Sequence, residues 1–302
     1  MPGKILKLEE LSGPQVKGLN PQTTAFFIAI SPIEWHGPHL PFGVDYFDAI
    51  YFAEVVSRIL IENHPEFDAV IAPPLPLGTQ IYRHPGSLRT DARTLYRVVR
   101  EFGESLATFG FKYIFLLSGH GAPKQIVALE TASLKISRKF DIQMHSLSGV
   151  MAIRFLKGEF IDKISAIMNR QLTDDEKSLL KKDIHGGWWE TSMMLLLRPD
   201  LVDKGYKSLE TVTRTDKNQP PITGYFGAPS FADQEFAEAS IRVMTEEISG
   251  TIGRIISGNN KYSETVSPLY SIPMLRPYWS FYWICGAIIA AVLALLILIL
   301  LI

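Results

Sequence analysis

Short apolar runs alternate with longer amphipathic stretches through the first half of the chain. The runs have the length and composition of buried strands and lie at residues 25–30, 69–72, 113–117 and 142–147. Apolar residues at helical spacing lie between them, at 46–63, 91–109 and 124–140. Such alternation is typical of a mainly parallel sheet with helices on both faces. The pattern therefore predicts an α/β fold in three layers, with the sheet in the middle.

The second half of the pattern is mostly helical. We predict helices at 188–197 and 231–256, mixed helix and loop at 153–180, and a surface loop or short extension at 204–221. With 302 residues, 47% of them hydrophobic, the chain is long enough to bury one large core or two modest ones, and we favour one. We therefore assign residues 1–256 to one domain and the polar, proline-containing residues 257–277 to a linker.

The last part of the chain has a different composition. Residues 284–302 contain neither charge nor proline, and a helix of that length spans roughly 28 Å, about the thickness of a bilayer core. Aromatic residues precede it where an interfacial belt would lie. We predict a single-pass transmembrane anchor at 278–302, the alternative being a buried core helix. Lys261 and Arg276 precede the span and no charge follows, which predicts a cytoplasmic domain.

Composition excludes several classes of protein. The net charge is −1 and the charges are spread along the chain, so no nucleic-acid partner is expected. The single cysteine, Cys285, excludes a disulfide within the chain and a zinc site built on thiolates. The first fifteen residues lack a long apolar stretch, which argues against a secretory signal.

Candidate chemistry begins in the segment SPIEWHGPHLPFGVD, residues 31–45, which follows the first strand. Glu34 and His36 project to the same side of an extended segment, because side chains alternate along it. Glycines and prolines then form a loop that brings Asp45 back toward them. Open α/β sheets bind their ligands at the carboxyl ends of strands, so we expect a metal site here.

Histidines support a site with more than one ion. Five of the seven lie in predicted loops or at helix starts near glycine: His36, His39, His84, His120 and His185. With Glu34, Asp45 and Glu190 they provide the nitrogen and oxygen ligands that suit zinc, manganese or iron. The chain has enough of them for two divalent ions, and a carboxylate bridging both would hold a hydroxide able to attack a carbonyl carbon. The alternative is a chance scatter of structural residues.

The order of these motifs carries a resemblance. E-x-H-G-x-H-L-P, a downstream Asp, strand-G-H-G and H-x-G-x-x-E-T-S resemble the creatininase (creatinine amidohydrolase) family of metal-dependent amide hydrolases, over about residues 20–255. HPGSL at 84–88 and GYFGAPSFADQEFAEA at 224–239 resemble further segments of that family. The resemblance implies an α/β sandwich, often assembled as a hexamer, with a binuclear metal centre that cleaves C–N bonds of amides, including cyclic ones.

The resemblance also implies roles for individual residues. The chain departs from creatininase at Ala122, where that enzyme has a ligand glutamate, so the carboxylate is assigned to Glu190. Glu34 and His120 would hold one ion, His36 and Glu190 the other, and Asp45 would bridge them. His185 would move a proton or, alternatively, orient a ligand. Trp188, His84 and Ser87 would contact the substrate, although Trp188 has the alternative of a core position.

These inferences together predict a membrane-tethered amidohydrolase that cleaves a non-peptide C–N bond of a small or cyclic amide through a metal-bound hydroxide. The alternatives are a peptide-trimming or deformylating metallohydrolase, and a catalytically silent membrane-bound scaffold. We also expect a homo-oligomer. A dihedral hexamer points its tails in two opposite directions, whereas one bilayer requires a single direction. The linker must then wrap round the assembly, or the oligomer must be smaller or cyclic.

Overall fold

One parallel sheet forms the centre of the protein. The structure, a computed structural model, describes residues 3–213, 223–279, 283–284, 286–288 and 291–293. Within these residues the five strands pair in parallel in the order β1-β3-β2-β4-β5. The predicted α/β fold with a parallel sheet is therefore confirmed. The strands are β1 (Ile5–Lys7), β2 (Thr24–Ala29), β3 (Asp68–Ile71), β4 (Tyr113–Leu117) and β5 (Gln143–Ser146).

Helices cover both faces of this sheet. One face packs against α3 and α4, and the other against α2 and α9, with α8 packed on α2 and α9. Their bounds are α1 (Gly13–Lys17), α2 (Val44–Asn63), α3 (Ala92–Ala107), α4 (Pro123–Phe140), α5 (Ser148–Leu156), α6 (Ile161–Ile167), α7 (Asp174–Leu180), α8 (Trp188–Leu197), α9 (Gln234–Ile256) and α10 (Tyr262–Thr265).

Strand β2 shows why its sequence is a continuous apolar run. Phe27 and Ala29 belong to the core shared with α2, α8 and α9, whereas Ile28 and Ile30 belong to the core shared with α3 and α4. Every residue of β2 is buried, because helices cover both sides of the sheet. The strand is thus held at the middle of three layers.

Helix boundaries follow the expected capping chemistry. The side chain of Asp91 caps α3, because it accepts hydrogen bonds from the N–H groups of Arg93 and Thr94. Helix α9 begins three residues later than predicted, because Asp233 caps it by accepting from the N–H of Phe236. Strand β1 was not predicted, since its three residues (ILK) are too few to form an apolar run.

The segment predicted as a linker, residues 257–277, packs on the domain. Ser267 is buried and donates hydrogen bonds from its N–H and its Oγ to the two carboxylate oxygens of Glu130 on α4, at 2.7 and 3.1 Å. Beyond it, Tyr278 lies edge-on to Tyr96 of α3, with 5.4 Å between ring centroids. The chain is therefore held against α3 and α4 as far as residue 278.

The predicted transmembrane span, residues 278–302, lies for the most part outside the described residues. Its described positions between 283 and 293 are helical, and the apolar side chains of Ile284, Ile288 and Val292 are exposed. Among the residues that the structure describes, no helix has the length and apolarity to cross a membrane.

Candidate metal centre

Two adjacent strand ends bring the ligand-bearing loops together. Glu34 and His36 follow β2, and His120 follows β4, its neighbour in the sheet. After β2 the chain adds β3 on one side of it and then crosses over to add β4 on the other side. Open α/β sheets form their ligand crevice at such a switch point, which here lies between β2 and β4. Gly119 allows the loop after β4 to approach α2, because a Cβ at this position would lie 2.4 Å from the carbonyl oxygen of Asp45.

The other two carboxylates lie in the first turns of helices. Asp45 is in the first turn of α2, and Glu190 is in the first turn of α8. Asp183 fixes the start of α8, since its carboxylate oxygens accept the N–H groups of Trp188 at 2.8 Å and Trp189 at 2.7 Å. Sequence reasoning missed Asp183, which lies farther from the helix than a capping residue usually does.

The five predicted metal ligands converge in two groups that share Asp45. Nδ1 of His120 lies 3.1 Å from Oδ2 of Asp45 and 3.2 Å from Oε2 of Glu34. Nε2 of His36 lies 3.4 Å from Oδ1 of Asp45 and 3.7 Å from Oε2 of Glu190. Within each group the ligand atoms lie within 4.8 Å of one another, so each group is small enough to surround one ion.

Hydrogen bonds fix which nitrogen of each histidine faces the carboxylates. Nδ1 of His36 donates to the carbonyl of Glu34 at 2.9 Å, and Nε2 of His120 donates to the carbonyl of Thr79 at 3.1 Å. A carbonyl oxygen only accepts, so the opposite nitrogen of each neutral ring presents a lone pair to the carboxylates. These imidazole lone pairs and the negatively charged carboxylates repel each other unless a cation lies between them.

Unpartnered atoms support the same conclusion. Oε2 of Glu34, Nε2 of His36 and Oδ2 of Asp45 are buried and have no hydrogen-bond partner among the described residues. Buried polar atoms are rarely left in this state. Imidazole nitrogens and carboxylate oxygens are ligands for zinc and manganese, so the residues present fit a metal centre.

The buried carboxylates also favour the protonated, positively charged forms of His36 and His120. Burial lowers the pKa of His36, but Asp45 and Glu190 outweigh it and raise the value to about 10. Burial also opposes protonation of His120, yet Glu34 and Asp45 raise its pKa to about 9. Metal ions and protons therefore compete for the same nitrogens, and metal binding at this site releases protons.

His185 lies directly beside these groups. Its Nε2 donates to the carbonyl of Trp35 at 2.8 Å, and its ring lies 4.1 Å from that of His36 and 4.5 Å from that of Tyr82. One of its nitrogens lies within 4.8 Å of ligand atoms of Glu34 and His36. Burial and the neighbouring His36 hold its pKa well below 6.5, so the ring is neutral, with Nδ1 as its acceptor.

Asp48 was not predicted and also belongs to this region. It lies one turn after Asp45 on α2, is fully buried, and has no partner for either carboxylate oxygen among the described residues. Burial, with the negative charges of Glu190 and Asp45, raises its pKa well above 3.8. The i, i+3 spacing of Asp45 and Asp48 is the signal that would have placed them on one helix face.

Trp188, predicted to contact the substrate, lies in the core instead. It is 1% exposed and packs against Phe231 and Phe236, with ring centroids 5.2 and 5.1 Å away. Helix α8 turns this side chain toward α9, because the apolar faces of the two helices pack together. Its neighbour Trp189 lines the cavity above the metal ligands.

The remaining candidates lie at the edges of the site. His84 stacks on Trp35 at 4.1 Å, and Oγ of Ser87 accepts the N–H of Trp35 at 3.2 Å. Both line a small pocket of about 370 Å³. His39 is buried, and its Nε2 lies 2.9 Å from Oγ1 of Thr191 on α8, so it helps to hold that helix in place.

A large cavity opens over the metal ligands. Its volume is about 1130 Å³, and Glu34, His120, His185 and Glu190 form its floor. The segment 274–279 forms part of its wall, through Met274, Leu275, Arg276, Pro277 and Trp279. The residues that pack on α3 and α4 after Ser267 therefore also shape the entrance to the site.

Comparison with known proteins identifies the family. A family model described as creatininase, creatinine amidohydrolase, matches residues 9–252, which is most of the chain. The chain belongs to the creatininase family. Creatinine amidohydrolase of Pseudomonas putida is 26% identical over 245 residues, which cover 74% of this chain and 87% of that protein. Mycofactocin precursor peptide peptidase of Mycolicibacterium smegmatis (strain ATCC 700084 / mc(2)155) is 27% identical over 113 residues, covering 36% and 44%.

Solved structures of creatininase have the same fold. A crystal structure of creatinine amidohydrolase aligns with a TM-score of 0.61 at 20% identity, covering 83% of this chain and 98% of that one. The manganese form of a creatininase aligns with a TM-score of 0.63 over the same shares, also at 20% identity. The creatininase family thus provides the fold expected from the sequence motifs.

Proposed function

We propose that this chain is a metal-dependent amidohydrolase that adds water across the C–N bond of an amide. The observation that carries the proposal is the pair of ligand groups sharing Asp45, with their buried, unpartnered atoms. Family membership and the relative that is a creatinine amidohydrolase support it. Two zinc, manganese or iron ions, when bound, would polarise the amide carbonyl and lower the pKa of a water molecule.

The chain's own residues hold the site and move the proton. Glu34 and His120 would hold one ion and His36 and Glu190 the other, with Asp45 between them. The hydrogen bond to the Trp35 carbonyl fixes the proton on Nε2 of His185, which leaves Nδ1 free to accept. His185 takes a proton from the attacking water and passes it to the amide nitrogen as the C–N bond breaks and the new C–O bond forms.

The substrate class within this chemistry remains a choice between a small or cyclic amide and a larger one. A cavity of about 1130 Å³ favours a substrate larger than a small cyclic amide. The similarity to a peptidase over 113 residues supports the peptide-trimming alternative. A panel of lactams, N-formyl amines and short peptides separates these activities, because each releases a different amine or carboxylate.

Metal content and turnover of Asp45→Ala test the function. The purified full chain should contain about two transition-metal ions by elemental mass spectrometry and should hydrolyse a member of the panel. Asp45→Ala should lose both the metal and the activity, whereas Asp200→Ala, at an exposed surface pair with Arg198, should retain both. Full activity of Asp45→Ala would overturn the mechanism. Bound metal with no hydrolysis of any amide would favour the scaffold.

We also propose that residues 284–302 tether the enzyme to a membrane, with the domain on the cytoplasmic side, and that the enzyme is a homo-oligomer. The support for the tether is the uncharged apolar sequence. The full chain should remain in the membrane pellet after an alkaline carbonate wash, and release by that wash would contradict the tether. Native mass spectrometry from detergent gives the oligomeric state, and a monomer would contradict the oligomer.

A further inference from the structure

The rim of the main cavity is basic. Six lysine and arginine side chains line it: Arg83, Arg89, Arg93, Arg97, Lys124 and Arg276. Outside the metal centre, the acidic residues along the cavity are Asp91 and Asp183, and both accept backbone N–H groups at helix starts. The whole chain is balanced, with 30 basic and 31 acidic residues. The rim is therefore a local excess of positive charge.

Three arginines of this rim have no partner within the described part of the chain. Arg83, Arg89 and Arg97 are exposed and have no hydrogen bond or ion pair within the part of the chain that the structure describes. On other faces, Arg170 pairs with Glu176 at 2.7 Å, and Arg198 pairs with Asp200 at the same distance. Arg83, Arg89 and Arg97 are thus available to a molecule that enters the cavity.

The metal ligands on the cavity floor and the basic residues on its rim together indicate the class of substrate. Glu34, His120 and Glu190 line the floor, and Arg89 and Arg97 line the same cavity of about 1130 Å³. We propose that the substrate is an elongated amide that carries a carboxylate or a phosphate group. Arg89 and Arg97 bind this anionic group while the amide reaches the metal ligands. This inference rests on the proposed hydrolase function.

Three amides with the same acyl chain separate the possibilities. N-acylglycine carries a carboxylate, N-acylphosphoethanolamine carries a phosphate, and N-acylethanolamine is neutral. With the metal-loaded full chain, we expect kcat/KM for one of the anionic amides to exceed that of the neutral amide by about tenfold or more, as for a charge-assisted contact. Which anionic amide is preferred identifies the anionic group. Raising the salt concentration should reduce the preference, because exposed charges are screened.

A double variant locates the effect on the rim. Arg89→Gln/Arg97→Gln should reduce the ratio of anionic to neutral kcat/KM to near one, mainly through a higher KM for the anionic amide. The matched control, Arg198→Gln/Arg242→Gln, removes two positive charges outside the cavity and should keep the wild-type ratio. Equal turnover of the three amides by the wild type, or an unchanged ratio in the rim variant, would overturn the inference.

Calorimetry distinguishes a failure of the anion-binding inference from a failure of the proposed hydrolase function. If no amide is hydrolysed, the function is refuted, and the binding of the same three compounds to the metal-loaded chain decides the inference. Tighter binding of an anionic compound that is lost in Arg89→Gln/Arg97→Gln would uphold the basic rim as an anion site. Equal binding of all three, or no binding, would overturn it.

Discussion

Replacing Glu130 by glutamine tests how the segment at 257–277 is held on the domain. Glu130 is 1% exposed, and both its oxygens accept hydrogen bonds from Ser267. Burial raises its pKa from 4.5 to about 7, although the bonds from Ser267 lower it. Burial raises the pKa of Tyr262, and the negative charge of Glu130 adds to that increase. Glutamine keeps an acceptor for the Ser267 N–H but does not titrate.

The sign and size of the effect follow from these pKa values. Between pH 4.5 and about 7 the folded protein holds a proton on Glu130 that the unfolded chain releases. Glu130 therefore contributes stability that is fully present below pH 4.5 and is lost as the pH rises through 7. At about 1.36 kcal/mol per pKa unit, the loss is about 3 kcal/mol. In a domain of this size it corresponds to roughly 6 to 12 °C in Tm.

Urea unfolding of wild type and Glu130→Gln at pH 5 and pH 8 measures this loss. The stability of the wild type relative to the variant should fall by about 2.5 kcal/mol between the two pH values, because part of the total loss occurs below pH 5. Glu62→Gln, at an exposed position on α2, provides the control and should follow the wild type at both pH values. Parallel pH dependence of wild type and Glu130→Gln would refute the reasoning.

Three further substitutions separate the roles of residues in and near the site. Asp48→Asn should raise the Tm of the chelator-treated protein by several degrees, because it removes a buried carboxylate beside Asp45 and Glu190; a lower Tm in scanning fluorimetry would contradict this. Trp188→Ala should cost about 3 to 5 kcal/mol in urea unfolding, with KM close to wild type, since the side chain fills core; a raised KM at normal stability would restore a substrate contact. His185→Gln should lower kcat by about 10²-fold or more while metal content by mass spectrometry stays constant; loss of metal would make it a ligand instead.

Much of the architecture was predictable because burial on both faces leaves a simple signal. The run AFFIAI predicts β2, since helices cover both sides of the sheet and every residue of the strand after Thr24 is apolar. The ligand set was accessible for a related reason. Glu34, His36 and His120 follow strand ends, and parallel strands bring such ends to one edge.

The rest depended on contacts that local pattern does not encode. Glu130 and Ser267 are separated by 137 positions, so nothing in either segment indicates that they meet. Trp188 follows two glycines, and only the packing of α8 on α9 decides which side of the helix faces the core. Asp183 binds the start of α8 from outside the usual capping spacing, which hides its role.

The cavity wall at 274–279 has a consequence for how the site can diverge. Residues 9–252 match the family, whereas this wall lies beyond them. The candidate metal ligands thus lie within the matched residues, and part of the entrance lies outside them. Sequence changes in residues 274–279 can alter which molecules enter while the candidate ligands are preserved. Protein engineers therefore have a place to retarget selectivity without touching the ligands of the ions.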